Sequence, residues 1–135
     1  MKERVAVLGA NDKPSYAHIA FKMLKEYGHT PLPVNPTLDR LDGEHVHKSL
    51  APLIDSHVDT LTLYVSPQKL EHYVDQIISL HPKRVIFNPG TESPEIEQQL
   101  EQAGIKTMRA CTLVMLRTES FEVPETTSSR LVDKT

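Results

Sequence analysis

The sequence predicts an α/β fold: a doubly wound parallel sheet of about five strands, order 3-2-1-4-5, with helices on both faces. Three observations carry that expectation. Short apolar runs alternate with segments whose apolar residues recur at threes and fours. The runs are apolar on both faces, as strands between two helical layers must be. Strand ends are followed by a glycine or a Ser-Pro pair, residues that stop a strand and start a helix. Right-handed crossovers restrict the topology, and the order 3-2-1-4-5 sets the reversal between the first and fourth strands.

The first strand is Val5-Ala-Val-Leu8, stopped by Gly9. From Ser15 the spacing of Tyr16, Ile19, Ala20, Met23, Leu24 and Tyr27 predicts a helix with that stripe in the core, ended by Gly28. The second strand, Thr30-Pro-Leu-Pro-Val34, has two prolines that each remove a ladder donor, so it should pair weakly on one side. Between 37 and 58, Asp42-Gly43 signals a turn, Val46 fits a short extended piece, and a short irregular helix is expected near 49–54. The third strand is 60–65, and Ser66-Pro67 opens a helix whose inner face holds Leu70, Tyr73, Val74, Ile77 and Ile78. The fourth strand is 84–88. Ser93-Pro94 repeats the start signal for a helix with Ile96, Leu100 and Ala103 inward, and 105–108 is the fifth strand. Residues 112–116 are apolar, too short to assign to helix or strand. From Glu119 the chain turns polar, so a domain over 1–118 and a flexible tail over 119–135 are expected.

A net charge of −3 and the lack of any run of Lys or Arg disfavour nucleic acid and anionic membranes as partners. Trp is absent and aromatics are only 5%, so base-stacking platforms are poorly supplied. One cysteine, Cys111, excludes an intrachain disulfide, which fits a cytoplasmic location. No stretch has the length of a membrane span.

The loop from Gly9 to Ser15 holds the strongest functional signal. A helix start leaves unpaired N–H groups and partial positive charge, which attract phosphate. Gly9 permits close backbone approach, Lys13 adds a positive charge, and Ser15 can cap the helix or bond a phosphate oxygen. An ordinary turn with a satisfied cap is the competing explanation. The dinucleotide fingerprint is incomplete. Its later glycine positions are Asn11 and Pro14, and strand two ends in Asn35 instead of an acid. These departures count against a nicotinamide cofactor in its usual pose, and no Gly-Lys-Ser/Thr phosphate loop occurs.

Gly9-Ala10-Asn11, Lys13-Pro14 and Ser15-Tyr16, followed by Pro33-Val34-Asn35-Pro36, Gly43 and Ser49-Leu50, resemble the small stand-alone CoA-binding proteins. These are similar to the CoA-binding domain of the alpha subunit of succinyl-CoA synthetase. The resemblance runs from about residue 4 to residue 117. It implies a Rossmann-like sheet that binds CoA, with the first loop on the pyrophosphate and the end of strand two on the adenosine. By position, the first set is Gly9, Ala10, Asn11, Lys13, Pro14 and Ser15, and the second is Asn35 and Pro36. Val65, Ser66, Lys69 and Gly90 would line the pocket further on. The chain departs from the family pattern after strand three. An arginine-bearing segment is replaced by Val65-Ser66-Pro67-Gln68-Lys69, whose one charge is Lys69. It departs again at Asn88-Pro89-Gly90-Thr91-Glu92, which is more polar, and at Arg109-Ala110-Cys111, where the family often has Asp-Arg-Cys.

Other chemistry is thinly supported. Cys111 as a nucleophile would need a lowered thiol pKa, and a lone cysteine is more often a small buried hydrophobe. His45-x-His47 supplies two imidazoles, but zinc needs further ligands. Glu92 and Glu95 suit a helix start for dipole reasons alone. No catalytic residues and no metal site are assigned. The expected function is non-catalytic binding of CoA or acyl-CoA, compatible with a regulatory role and with a homo-oligomer. The alternatives are an NAD(P)-type oxidoreductase and an interaction protein with a degenerate pocket.

Overall fold

The computed structural model describes residues 2–122. In chain order the elements are β1 (Arg4–Leu8), α1 (Tyr16–Glu26), β2 (Thr30–Val34), β3 (Arg40–Leu41), β4 (Glu44–His45), β5 (Thr60–Leu63), α2 (Pro67–Leu70), α3 (Val74–Leu80), β6 (Arg84–Phe87), α4 (Pro94–Gln102), β7 (Lys106–Arg109) and α5 (Thr112–Arg117). A 3-10 turn over Ala51–Leu53 meets the expected short helix near 49–54, and a second 3-10 turn over Glu71–Tyr73 breaks the expected continuous helix between α2 and α3. Residues 112–116, left open by pattern, are helical: Leu113, Met115 and Leu116 turn inward and Val114 outward.

Five strands form one parallel sheet in the order β2-β1-β5-β6-β7. The fold class is the one expected. The strand order is not: numbered among the five, it is 2-1-3-4-5 and not 3-2-1-4-5. The third strand, β5, docks on the free side of β1, not beyond β2. The prolines of β2 explain this. In a parallel strand the N–H and C=O of one residue point to the same neighbour. Pro33 O accepts from His47 N at the outer edge (2.9 Å), so the ring nitrogens of Pro33 and Pro31 also face outward. That edge lacks two donors and cannot template another full strand. It carries only a single bridge, Val34 to His47.

The reversal of the sheet therefore lies between β1 and β5. The loop after β1 meets the loop after β5 there, and the Asn88–Glu92 loop lies one strand further along. Strand alternation feeds two cores. Ala6 and Leu8 join Leu61, Leu63, Phe87, Leu70, Ile77 and Leu100 on one face, while Val5 and Val7 join Phe21, Leu24, Ile86, Met115 and Leu116 on the other. The buried stripe of α1 is Ala17, Ala20, Phe21 and Leu24. This rotates the expected stripe: Tyr16, Ile19 and Tyr27 are exposed. The two alanines let α1 approach the sheet closely and direct Phe21 into the core. His18 pairs with Asp42 (3.1 Å) and Lys25 with Glu44, which pins α1 to the β3–β4 hairpin.

The first residues of the expected tail are packed. Phe121 is 2% exposed and lies edge-on to His29 with its ring 4.6 Å from the Arg84 guanidinium. Arg84 donates to Phe121 O (2.6 Å) and Thr60 Oγ1 (2.8 Å), and pairs with Glu3 (3.3 Å). The packed body thus extends to Glu122, four residues past the expected boundary. The rest of the expected tail, 123–135, lies outside the described residues.

Candidate functional site

The site is built where β1 hands over to α1. Gly9 has φ +98°, and a Cβ there would stand 2.5 Å from Tyr64 O and 3.0 Å from Val65 Cγ1. The space that glycine leaves is filled by the chain leaving β5, so Gly9 brings the two switch-point loops into contact. Gly9 N also donates to Val34 O (3.0 Å), joining the end of β2 to the same point.

Asn11 organises the turn. Its Oδ1 accepts from Lys13 N (3.0 Å) and Ser15 Oγ (3.1 Å). Ser15 Oγ in turn accepts from His18 N (3.2 Å), so Ser15 is a satisfied cap. The Tyr16 and Ala17 amides precede any intrahelical acceptor. Asn35 ties the next loop in. Its Nδ2 donates to Ala10 O (2.7 Å), and its Oδ1 accepts from Thr37 N (2.8 Å) and Leu38 N (3.0 Å).

These three loops enclose a cleft of about 740 Å³. One wall is Gly9 and Asn11, the second is Asn35, Pro36, Thr37, Lys48 and Ser49, and the third is Tyr64, Val65, Ser66, Lys69, His72 and Tyr73. The volume suits a nucleotide-sized ligand. Of the residues singled out by sequence, Gly9, Asn11, Asn35, Pro36, Val65, Ser66 and Lys69 are brought together. Ala10 is fully buried behind the wall, Ser15 is committed to its cap, and Lys13 and Pro14 are exposed at the loop tip outside the lining.

Gly90 does not line the cleft either. Its N–H is taken by the Glu92 carboxylate (3.0 Å), and the nearby Ser93 N–H is taken by Glu97 (3.1 Å). Carboxylates thus already occupy these two amides, and the Thr91 N–H bonds Asn88 O (3.0 Å).

Sequence reading missed Thr37, Lys48, Ser49, Tyr64, His72 and Tyr73 as lining. Lys48 arrives through the outer edge of β2, where Pro33 O and Asn35 N bond the His47 backbone at 2.9 Å each. Two outward prolines before an Asn-Pro were the available signal. His72 and Tyr73 belong to the 3-10 turn that interrupts the helix. The charged side chains of the lining are Lys48 and Lys69, with no Asp or Glu among the lining residues. Lys48 donates to Leu38 O (3.2 Å) and pairs with Asp39, whose carboxyl it holds below the usual carboxylate range by hydrogen bond and charge.

Residues 3–117 match the family model described as CoA binding domain. The chain belongs to the CoA-binding-domain family. Similar solved structures share the fold. One, described as an uncharacterized protein, is 40% identical with a TM-score of 0.84, covering 90% of this chain and 99% of that one. Another, cell-free ID.343 from Thermus thermophilus, is 32% identical with a TM-score of 0.80, covering 89% and 91%. The uncharacterized protein YneT of Bacillus subtilis (strain 168) is 26% identical over 103 residues, 76% of each chain.

Behind the cleft, this CoA-binding domain has a polar cluster on the α1–α5 face. Asn88 Nδ2 donates to Thr62 Oγ1 (2.7 Å) and Leu63 O (2.8 Å), and its Oδ1 accepts from Thr112 N (2.9 Å). Thr62 and Thr112 share a hydroxyl bond of 2.7 Å. The Tyr64 hydroxyl is buried beside them without a well-formed bond to either, and burial pushes its pKa up to about 12. It stays a phenol at neutral pH and cannot act as a base. Cys111, half-buried, precedes α5 as a free thiol. Among the described residues no group of three or more His, Cys, Asp or Glu could hold a metal ion, and no helix is long and apolar enough to cross a membrane. His45 and His47 meet edge to face with centroids 4.9 Å apart.

Proposed function

We propose that this chain is a non-catalytic binding module for CoA or acyl-CoA, acting in the cytoplasm. The observation that carries the proposal is the charge of the cleft. In a chain of net charge −3, the charged side chains of its lining are Lys48 and Lys69, and no Asp or Glu lines it. A concave site lined by one sign of charge concentrates ligands of the other. Open α/β sheets bind nucleotides at the switch point, which is where this cleft opens.

In this reading the adenosine end lies toward Asn35 and Pro36, and the pyrophosphate toward the Gly9–Ser15 loop. Lys69 supplies charge from the facing wall, in place of the family's arginine-bearing segment. Lys13, at the exposed loop tip, contributes long-range attraction. Val65 and Tyr73 offer apolar surface to the pantetheine arm. Asn35 in the place of an acid removes the usual acceptor for a dinucleotide ribose and separates this reading from an NAD(P)-dependent enzyme.

A thermal shift series with CoA, acetyl-CoA, NAD, NADP and ATP tests the proposal, since a ligand that binds only the folded state raises its stability. Stabilisation by the CoA species above the others is expected. Equal or larger shifts with NAD would contradict it.

A further inference from the structure

Resting on the CoA reading, we infer that Lys48 reads the phosphate monoester on the adenosine ribose, so that the cleft prefers CoA to dephospho-CoA. In nucleotide-binding sheets, the group at the end of the second strand decides what the ribose carries. An acid takes free hydroxyls and a cation accommodates a phosphate. Here Asn35 holds that place, and its side chain is committed. Its Oδ1 accepts from Thr37 and Leu38 and its Nδ2 donates to Ala10. The charged group beside it is Lys48, fixed next to the strand end by the Val34–His47 bridge.

Lys48 is free to change partners. Its ammonium has three donors, spent now on Leu38 O and the exposed Asp39 carboxylate. An exposed pair of that kind is weak, whereas a phosphate monoester brings a charge of about −1.5 to −2 at neutral pH. Asp39, the carboxylate that Lys48 now holds, stands outside the lining, which contains no Asp or Glu. Lys69 belongs to α2, directly after β5 and hence beside the switch point where the pyrophosphate is expected. The two lysines therefore have separable tasks. Lys48 senses the extra phosphate, and Lys69 serves the part common to both ligands.

Calorimetric titration of the full chain with CoA and with dephospho-CoA tests this, using wild type, Lys48→Gln and Lys69→Gln. Wild type is expected to bind CoA about tenfold tighter than dephospho-CoA, the order of one charge-assisted hydrogen bond. Lys48→Gln should lose most of that preference, its loss for CoA being several-fold larger than its loss for dephospho-CoA, while Lys69→Gln weakens both by a similar factor. Equal binding of the two ligands by wild type, or an equal loss for both in Lys48→Gln, would overturn the role of Lys48 and leave CoA binding standing. Binding of neither ligand by wild type would overturn the CoA reading and this inference together.

Discussion

Asn35 Nδ2 donates a 2.7 Å hydrogen bond to the carbonyl of Ala10, joining the end of β2 to the loop that follows β1. The same side chain accepts from two amides of its own loop, so one residue sets the relative position of two walls of the cleft. Asn35→Asp keeps the acceptor, removes the donor and turns a carboxylate toward the Ala10 carbonyl. It should cost roughly 1–3 kcal/mol in urea unfolding, the range for leaving a buried polar group unpaired. It should also weaken CoA, because a negative charge enters a cationic cleft.

Gly9→Ala strains the backbone and the packing together. The residue sits at φ +98°, and its new methyl would meet Tyr64 O at 2.5 Å. Residues forced into such a conformation lose about 1–3 kcal/mol before any clash is counted. Chemical denaturation should show at least that loss, and the two switch-point loops should separate, lowering CoA affinity. A variant as stable as wild type would mean that the β5 loop gives way freely.

Phe121→Ala tests the anchoring of the segment after α5. The ring is buried against Arg84 and His29, and its removal should destabilise the domain by about 3 kcal/mol. Removing Arg84 instead would leave Glu3 and the Phe121 carbonyl without their buried partner, a cost of about 3–5 kcal/mol. Both lesions lie at the opposite end of β6 from the cleft side, so CoA affinity of the folded fraction should be unchanged.

Stability should fall with mild acid. His29 is buried and its Nδ1 accepts from Glu3 N (3.0 Å), which requires an unprotonated nitrogen. Burial, helped by the Lys2 ammonium, lowers its pKa, and burial beside His45 lowers that of His47. The unfolded chain therefore takes up protons first. The stabilisation is complete above the unfolded value of about 6.5 and is lost as pH falls through the lower folded values. Urea midpoints should drop from pH 7.5 to pH 5, by less in His29→Asn, whose Oδ1 can replace the acceptor without titrating. A midpoint independent of pH would contradict the assignment.

Much of this was legible in the residues. The alternation of strands and helices located all five sheet strands, and Ser15, Ser66 and Ser93 each accept the capping bond their positions predicted. The strand order was not legible, because it depends on which edge of β2 the prolines face, and that emerges only with the register. Gly9, Asn11 and Asn35 stood out because turns need special residues. Lys48 and His72 did not, since one reaches the cleft through a long-range bridge and the other through a break in a helix. Gly90 had the conformation of a loop glycine, but Glu92 supplies the negative charge its amide attracts. Phe121 was hidden because apolar residues are few and unpatterned in the polar stretch from Glu119.

The most direct test of where CoA binds is a titration of the isotope-labelled chain followed by amide NMR. Saturable shifts are expected to centre on the cleft amides, those of Gly9, Asn11, Asn35, Thr37, Lys48, Ser49, Ser66 and Lys69. Shifts centred on the 88–92 loop, or none at saturating CoA, would contradict it.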